Sequence, residues 1–400
     1  MKKKDEQILV LTYWSYEDAL IQAYTLPYLK IIQEILSPDS TIHLFTLEKN
    51  KGHSSNANPS SGIKRLSSIY HPFGFRGLFS WVFTFLRLLR YIKKNRISTI
   101  HCWCTPAGAA GYILSKFTGV RLILDSYEPH AQAMIENGTW RKKGLAYRIL
   151  WYLEKKQTQK AFFVIGTTLG MKNYATVNYK VEIQNFLVKP ACVDLAQFSL
   201  TKKKNPSLLR QFHLENKTIC VYAGKFGGIY YKEEVFAFFK EARNFWAEKL
   251  HVLLLTSHSK EEVLTLVRKF DLPPEMFTIL FVPHHEVADY IGLGDFALTP
   301  VKPVPSKRYC SPVKDGEYWA MGLPVVISEG ISDDSDLIKT HKAGFVLPAM
   351  NEDAFRLALV SLQQLLTDDQ QILASRIRDI ADQYRNFQLA KAVYSSIYAR

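Results

Sequence analysis

The sequence predicts an α/β protein made of two Rossmann-like, doubly wound domains facing a cleft. Three observations lead there. Short apolar, β-rich runs alternate with longer helical patterns along the whole chain. The alternation is interrupted between 190 and 205, by Lys189-Pro190 and then a polar run over 201–207. The length, 400 residues, suits two or three domains.

In the first half, strands are expected at 8–12, 41–46, 63–69, 98–102, 121–125 and 161–165. Helices are expected at 17–36, 78–94, 107–117 and 140–160, and the Ser-, Asn- and Gly-rich stretch 51–62 is expected to be a loop. The second half repeats the plan, with strands at 218–223, 252–256, 278–282, 296–299, 324–328 and 345–347. Its helices are expected at 233–246, 261–270, 286–291, 316–321, 335–342 and 352–366. The expected domains are 1–190, 191–375, and a C-terminal helical segment, 376–400, that packs back on the first.

Composition narrows the class. Apolar residues make up 47% and charged residues 22%, as in a folded globular protein, which excludes disordered and collagen-like chains. The five cysteines form no paired framework, and Cys102-Trp103-Cys104 has neither zinc-knuckle nor thioredoxin spacing, so free thiols in a reducing cytoplasm are expected. The run Ile8–Leu11 behind three lysines is too short for a signal peptide, and the apolar run over 78–89 contains Arg87 and is too short to span a bilayer.

The formal charge of +14 is uneven. Residues 1–190 hold 26 Lys and Arg against 12 Asp and Glu, whereas 191–400 hold 25 of each. A basic half calls for an anionic partner. No nucleic-acid recognition motif is present, and the surplus is interleaved with Trp, Tyr, Phe and Leu over 78–96 and 140–152, the composition of an interfacial helix. Peripheral docking on the inner membrane leaflet is expected, against the plainer alternative of amphipathic core helices with solvated lysines.

Chemistry concentrates in the second half. The strand over 219–223 runs into Gly224-Lys225-Phe226-Gly227-Gly228-Ile229-Tyr230-Tyr231-Lys232. Glycines let backbone amides approach a ligand, the next helix adds a positive dipole end, and Lys225 and Lys232 suit a diphosphate. The loop is neither a Walker P-loop nor Gly-x-Gly-x-x-Gly. Further on, Ser311-Pro312-Val313-Lys314-Asp315-Gly316-Glu317 enters a short helix that stops at Gly322 before a buried strand. Glu317 suits the vicinal hydroxyls of a ribose, or is simply an acid favoured at a helix start.

These two elements, in this order, resemble the donor half of family 4-type retaining glycosyltransferases of the glycosyltransferase-B fold (glycosyl transferases group 1). The linker phrase Pro190-Ala191-Cys192-Val193-Asp194-Leu195-Ala196-Gln197-Phe198 resembles that family's Pro-x-x-Val-Asp-x-x-x-Phe. The resemblance implies a nucleotide-diphosphate sugar donor, UDP- or GDP-linked, with no metal or cofactor. It implies Gly224, Lys225, Gly227 and Lys232 at the diphosphate and Glu317 at the ribose. Val282 and Pro283 would lie in a base-contacting loop, and Tyr309, Ser311, Pro312 and Lys314 around the donor. Tyr309 stands where many members carry a first glutamate, leaving Lys307, Arg308 and the 310–312 backbone as alternatives for the sugar. His284 and His285 lack a further ligand at metal-site spacing.

In the first half, Asp125-Ser126-Tyr127-Glu128-Pro129-His130 follows a strand and resembles the family's Asp-x-His-Glu segment, with Tyr127 in the histidine's place and His130 as a substitute. Asp125, Tyr127 and His130 are expected on the acceptor side, with Glu128 orienting the acceptor hydroxyl. The loop after the first strand, with Ser15 and Tyr16, is expected to shape an acceptor pocket, or to start a helix capped by Ser15. The implied function is retaining transfer to a glycan or lipid-linked acceptor in cell-surface polysaccharide or glycoconjugate synthesis. The competing readings are a sugar-nucleotide epimerase or phosphorylase of the same fold, and a non-catalytic sugar-nucleotide-binding or membrane-associated partner protein.

Overall fold

The computed structural model describes residues 5–18, 20–49, 62–71 and 75–399. The expected loop over 51–62, apart from Gly62, and the lysines at 2–4 lie outside them. The chain divides into two compact units, Met1–Lys189 with Gln388–Arg400, and Pro190–Phe387.

The first unit runs β1 (Gln7–Leu11), α1 (Leu26–Ile35), β2 (Thr41–Glu48), β3 (Ile63–Ile69), α2 (Phe75–Lys94), β4 (Thr99–Trp103) and α3 (Thr105–Thr118). It continues with β5 (Arg121–Tyr127), α4 (His130–Glu136), α5 (Leu145–Lys160), β6 (Phe163–Gly166), α6 (Gly170–Tyr174) and β7 (Phe186–Val188). The seven strands form one parallel sheet in the order β3-β2-β1-β4-β5-β6-β7. Its central strands are buried along their length, which is why they are near-continuous apolar runs rather than alternating ones.

The second unit runs α7 (Pro206–Gln211), β8 (Thr218–Ala223), α8 (Glu233–Trp246), β9 (Leu250–Leu255), α9 (Lys260–Lys269), β10 (Phe277–Leu280), α10 (Val287–Ile291) and β11 (Phe296–Thr299). Then come α11 (Val313–Ala320), β12 (Val325–Ser328), α12 (Asp334–His341), β13 (Gly344–Leu347), α13 (Glu352–Thr367) and α14 (Gln370–Tyr384). Its parallel sheet has the order β10-β9-β8-β11-β12-β13. Alternate residues of β8 feed two cores: Cys220 and Tyr222 pack with Phe236 and Phe239 of α8, and Ile219 and Val221 with Trp319 of α11 and Ile377 of α14.

Several boundaries differ from expectation for local reasons. The helix expected over 17–36 is broken into a π-helical turn, Ile21–Thr25, and then α1, where Pro27 lacks the amide needed to continue an earlier ladder. The helix expected from 140 starts at Leu145, because Arg141–Gly144 closes a turn instead. The short strand β7 was not foreseen. The segment returning to the first unit starts at Gln388 rather than 376, since α14 packs on α11 within the second unit, and α15 (Phe387–Tyr398) makes the return.

That return is held by charge in a dry place. Asp125, at the end of β5, is 1% exposed, and its Oδ1 lies 3.2 Å from Nζ of Lys189. Tyr394 of α15 donates to Asp125 Oδ2 at 2.7 Å, and His101 Nε2 lies 3.1 Å from the same oxygen. The other His101 ring nitrogen meets the Tyr398 hydroxyl at 2.6 Å. The Lys189 ammonium also sits 3.8 Å from the centre of the Tyr28 ring. Burial alone would raise the Asp125 pKa, but Lys189 and then His101 outweigh it and hold it at about 2. A depressed carboxylate stabilises the fold above its unfolded pKa, and that contribution is lost as pH falls from about 4 through about 2.

Two outcomes follow from this packing. Lys189→Met strands a buried carboxylate and is expected to cost roughly 3–5 kcal/mol in denaturant unfolding, with partial recovery in Lys189→Met/Asp125→Asn. Gly322 stands just past α11 at φ 65°, where a Cβ would lie 2.7 Å from the Ala374 Cβ. Gly322→Ala is expected to cost about 1–3 kcal/mol in the same measurement.

Candidate functional site

In a doubly wound sheet, ligands bind beyond the C-terminal strand ends where the strand order reverses. In the second unit that point lies between β8 and β11. The segments leaving these two strands are joined: the Tyr231 amide donates to the Pro300 carbonyl at 2.9 Å, the Lys302 amide to the Ile229 carbonyl at 2.9 Å, and Tyr230 bridges Val301. The Gly224–Lys232 loop is therefore a braced structure. The Tyr222 hydroxyl donates to the Lys225 carbonyl at 2.6 Å, and the Phe226 amide to His258 Nε2 at 3.0 Å.

Gly224 has φ 144°, and a Cβ there would lie 2.1 Å from Lys314 Nζ. The glycine is thus required both by its backbone and by the close approach of this ammonium. Lys314 Nζ stands 4.1 Å from the Tyr230 ring centre and 5.1 Å from that of Tyr222. It is shielded from solvent and has no hydrogen-bond partner among the described residues. Lys225 and Lys232 are exposed on the same loop, and Gly227 takes φ 81° between them.

Lys314 and Glu317 share the first turns of α11. Glu317 is 7% exposed, and its Oε1 lies 3.1 Å from His284 Nε2. Gln197 donates to the His284 carbonyl at 2.8 Å and Phe198 lies beside the His284 ring, so the linker phrase steadies the loop carrying Val282 and Pro283. The Tyr318 hydroxyl accepts from the Ala223 amide at 2.8 Å, tying α11 to the end of β8. Below it, Asp315 is fully buried beside Asp334; burial, and then the Asp334 charge, push its carboxyl well above the usual range, while Arg385 pairs with Asp334.

The structure brings Gly224, Lys314 and Glu317 together and adds His284, whose pairing with Glu317 is invisible at a separation of 33 residues. Ser311 is occupied otherwise: its hydroxyl accepts from the Ala191 amide at 3.2 Å and fastens the linker. Tyr309 ends a 3-10 turn, Pro305–Tyr309, and is half-buried, while Pro312 caps the start of α11. Among the described residues no group of three His, Cys, Asp or Glu could hold a metal ion.

The first unit corrects several expectations. Asp125 belongs to the buried cluster with Lys189. Tyr127 is also buried, donating to the Glu154 carbonyl at 3.3 Å and sharing a short hydrogen bond with Thr158. The cause is a register shift in β5 after Leu124, with Ser126 at φ 50°, which extends the strand to 127 and turns the Tyr127 ring into the core. Tyr16 is likewise buried, under the Arg65 guanidinium at 4.1 Å, and Ser15 closes a turn rather than capping a helix. Glu128 and His130 remain partly accessible, with 3.7 Å between Glu128 Oε1 and His130 Nδ1.

Glu154 supports that loop from within. Its Oε1 accepts from the Ala131 amide at 2.8 Å, at the start of α4, and its Oε2 from the Tyr179 hydroxyl at 2.8 Å. Burial raises its pKa to about 7, against the lowering effect of these two donors.

Two wholly parallel sheets of seven and six strands, each doubly wound with helices, are the architecture of the glycosyltransferase-B fold. Solved structures of that architecture are similar over almost the whole chain. Sucrose-phosphate synthase from Thermosynechococcus elongatus has a TM-score of 0.77 at 15% identity, over 99% of this chain and 98% of its own. WaaG, a glycosyltransferase involved in lipopolysaccharide biosynthesis, has a TM-score of 0.71 at 11% identity, over 98% and 100%. Anabaena HepE in complex with UDP-glucose has a TM-score of 0.71 at 14% identity, over 98% and 99%. Such identities speak for the fold. No protein-family model matches the sequence, and no curated protein matches it.

The Glu154 contribution has a definite sign. A carboxyl whose folded pKa is raised stabilises the fold fully below its unfolded value and progressively less as pH rises through about 7. Melting temperature is expected to fall between about pH 4.5 and 7 from this group. Glu154→Gln, which keeps an acceptor for Ala131, is expected to flatten that slope and to stabilise the protein at pH 8 by about 1–3 kcal/mol. An unchanged slope would remove Glu154 as its source.

Proposed function

We propose that the protein is a glycosyltransferase that moves a sugar, with retention, from a UDP- or GDP-linked donor to a hydroxyl of a glycan or lipid-linked acceptor. Its place would be cell-surface polysaccharide or glycoconjugate synthesis, on the cytoplasmic side of the membrane. The observation that carries the reading is the shielded Lys314 ammonium, lodged against Gly224 with no hydrogen-bond partner among the described residues. A buried ammonium without a hydrogen-bond partner is costly, and an anion entering the Gly224 loop would relieve that cost.

In the proposed reaction the bond between the anomeric carbon and the diphosphate oxygen breaks, and a bond from the anomeric carbon to the acceptor oxygen forms on the same face. The acceptor proton passes to the departing diphosphate. Lys225 and Lys232 close on the diphosphate from solvent while Lys314 neutralises it from below, a charge arrangement that lowers the barrier to its departure. Glu317 accepts from the ribose hydroxyls in exchange for His284. Val282 and Pro283 border the base, and Tyr309 and Pro312 the sugar. Glu128, steadied through the Glu154-capped start of α4, orients the acceptor with His130. The scheme uses no metal. The burial of Tyr127 favours a second reading, a non-catalytic sugar-nucleotide-binding protein, since the family's histidine then has no counterpart at that position.

Millimolar UDP or GDP is expected to raise the melting temperature, by an amount equivalent to about 2.7 kcal/mol at a hundredfold excess over the dissociation constant. Lys314→Met and Glu317→Ala should each remove most of the shift. No shift with any nucleoside diphosphate would overturn the reading. A shift without consumption of any donor in the presence of a lipid extract would favour the non-catalytic binder.

A further inference from the structure

The longest helix of the first unit has a face that the donor site does not explain. From Lys49 to Leu124 the chain runs for 76 residues with 12 Lys and Arg and no Asp or Glu. α2 lies inside this stretch. Its core side carries Thr84, Leu88 and Ile92, all buried. On the opposite side Phe79 is 64% exposed, Val82 50%, Phe83 70% and Leu86 44%. Their spacing of three and four residues makes one continuous stripe. The same face continues toward the C-terminus as Arg90, Lys93 and Lys94, all exposed. The patch extends onto α3, which packs on α2: Phe117 is 68% exposed, meets the Phe85 ring at 6.0 Å, and is preceded by exposed Lys116.

We propose that this face of α2 and α3 is a docking surface for an anionic lipid bilayer, with the Phe79, Phe83 and Phe117 rings at the acyl boundary and the lysines and arginines at the lipid phosphates. The stripe and its cationic continuation cover about 22 Å of helix, at about 1.5 Å per residue. Such a helix lies in the plane of the interface, its apolar face inserted and its long cationic side chains reaching the headgroups. No helix among the described residues is long and apolar enough to cross a membrane, so contact would be from one side.

Charge selects this occupant over a second copy of the chain. A two-fold contact through the stripe brings two copies of Arg87, Arg90, Lys93 and Lys94 to one interface, with no acidic residue anywhere on α2 to relieve them. Nucleic acid is the weaker fit, because Val82 and Leu86, half of the stripe, offer no face on which a base stacks. The inference is independent of the proposed transfer reaction, although a surface-bound acceptor would bring the two together.

The test is cosedimentation of the full chain with phosphatidylglycerol–phosphatidylcholine vesicles, with pure phosphatidylcholine as control, at low and high salt. Binding is expected to anionic vesicles alone and to weaken as salt rises. Phe83→Ser should weaken it roughly tenfold or more, and Arg90→Gln/Lys93→Gln/Lys94→Gln roughly a hundredfold at low salt, at about fivefold per charge. Both should keep the wild-type melting temperature. Ile372→Ser, an exposed apolar site in the second unit, should bind as wild type. Four results would overturn the proposal: no binding at low salt; binding unaffected by Phe83→Ser; a lipid-free dimer that the same substitution dissolves; or an oligonucleotide complex that it dissolves. Vesicle binding without a nucleotide-induced melting shift would sink the transfer reaction and leave this surface standing; the reverse would do the opposite.

Discussion

A single carboxylate, that of Asp125, is surrounded by Lys189, His101 and Tyr394, with the Ser126 amide also donating to it. These groups come from the end of β5, from β4, from the last residue of the first unit before the chain leaves it, and from the helix by which the chain returns. A buried ionised group must have its charge and its lone pairs met by protein, and here three distant residues and the adjacent Ser126 amide meet them. The seven-stranded sheet could form from its apolar strands alone. What the ion pair adds is a link between the chain's departure and its return, because Lys189 ends the first pass through the unit and Tyr394 lies on the returning helix.

The second unit solves a related problem in another way. Its chemistry rests on Gly224, which has no side chain, so that Lys314 can occupy the space a Cβ would fill. Among the described residues the ammonium meets the faces of Tyr222 and Tyr230, which is weak compensation for a full charge. Glu317, by contrast, is paired with His284. One side of the site therefore holds unspent positive charge and the other a carboxylate that has an exchangeable partner, an asymmetry suited to a ligand with an anionic part and a hydroxyl-bearing part.

Much of the fold was legible because buried parallel strands must be apolar throughout and their helices amphipathic. The turn at Gly224 and the short helix behind Pro312 were legible as local structure, because glycine and proline mark such places. What could not be read depends on contacts distant in sequence. Lys189 stood out only as part of an interruption, with nothing to link it to Asp125. His284 and Glu317 lie 33 residues apart, and neither residue type announces the other. Tyr127 was misplaced because a one-residue register shift reverses which face of a strand a side chain joins, and nothing in Asp125–His130 signals that shift. The composition of α2 was plain in the sequence, but composition alone could not say which aromatic rings point away from the core.

The return of α15 to the first unit also sets an order of events during synthesis. Residues leave the ribosome from the N-terminus, and domains generally fold as they emerge. The second unit is complete once Phe387 is free. The first, although made earlier, must wait with Asp125 and His101 lacking Tyr394 and Tyr398 until the last helix has been translated. The unit begun first is thus the one finished last, and during that interval its buried Asp125 and His101 each lack a hydrogen-bond partner that α15 later supplies.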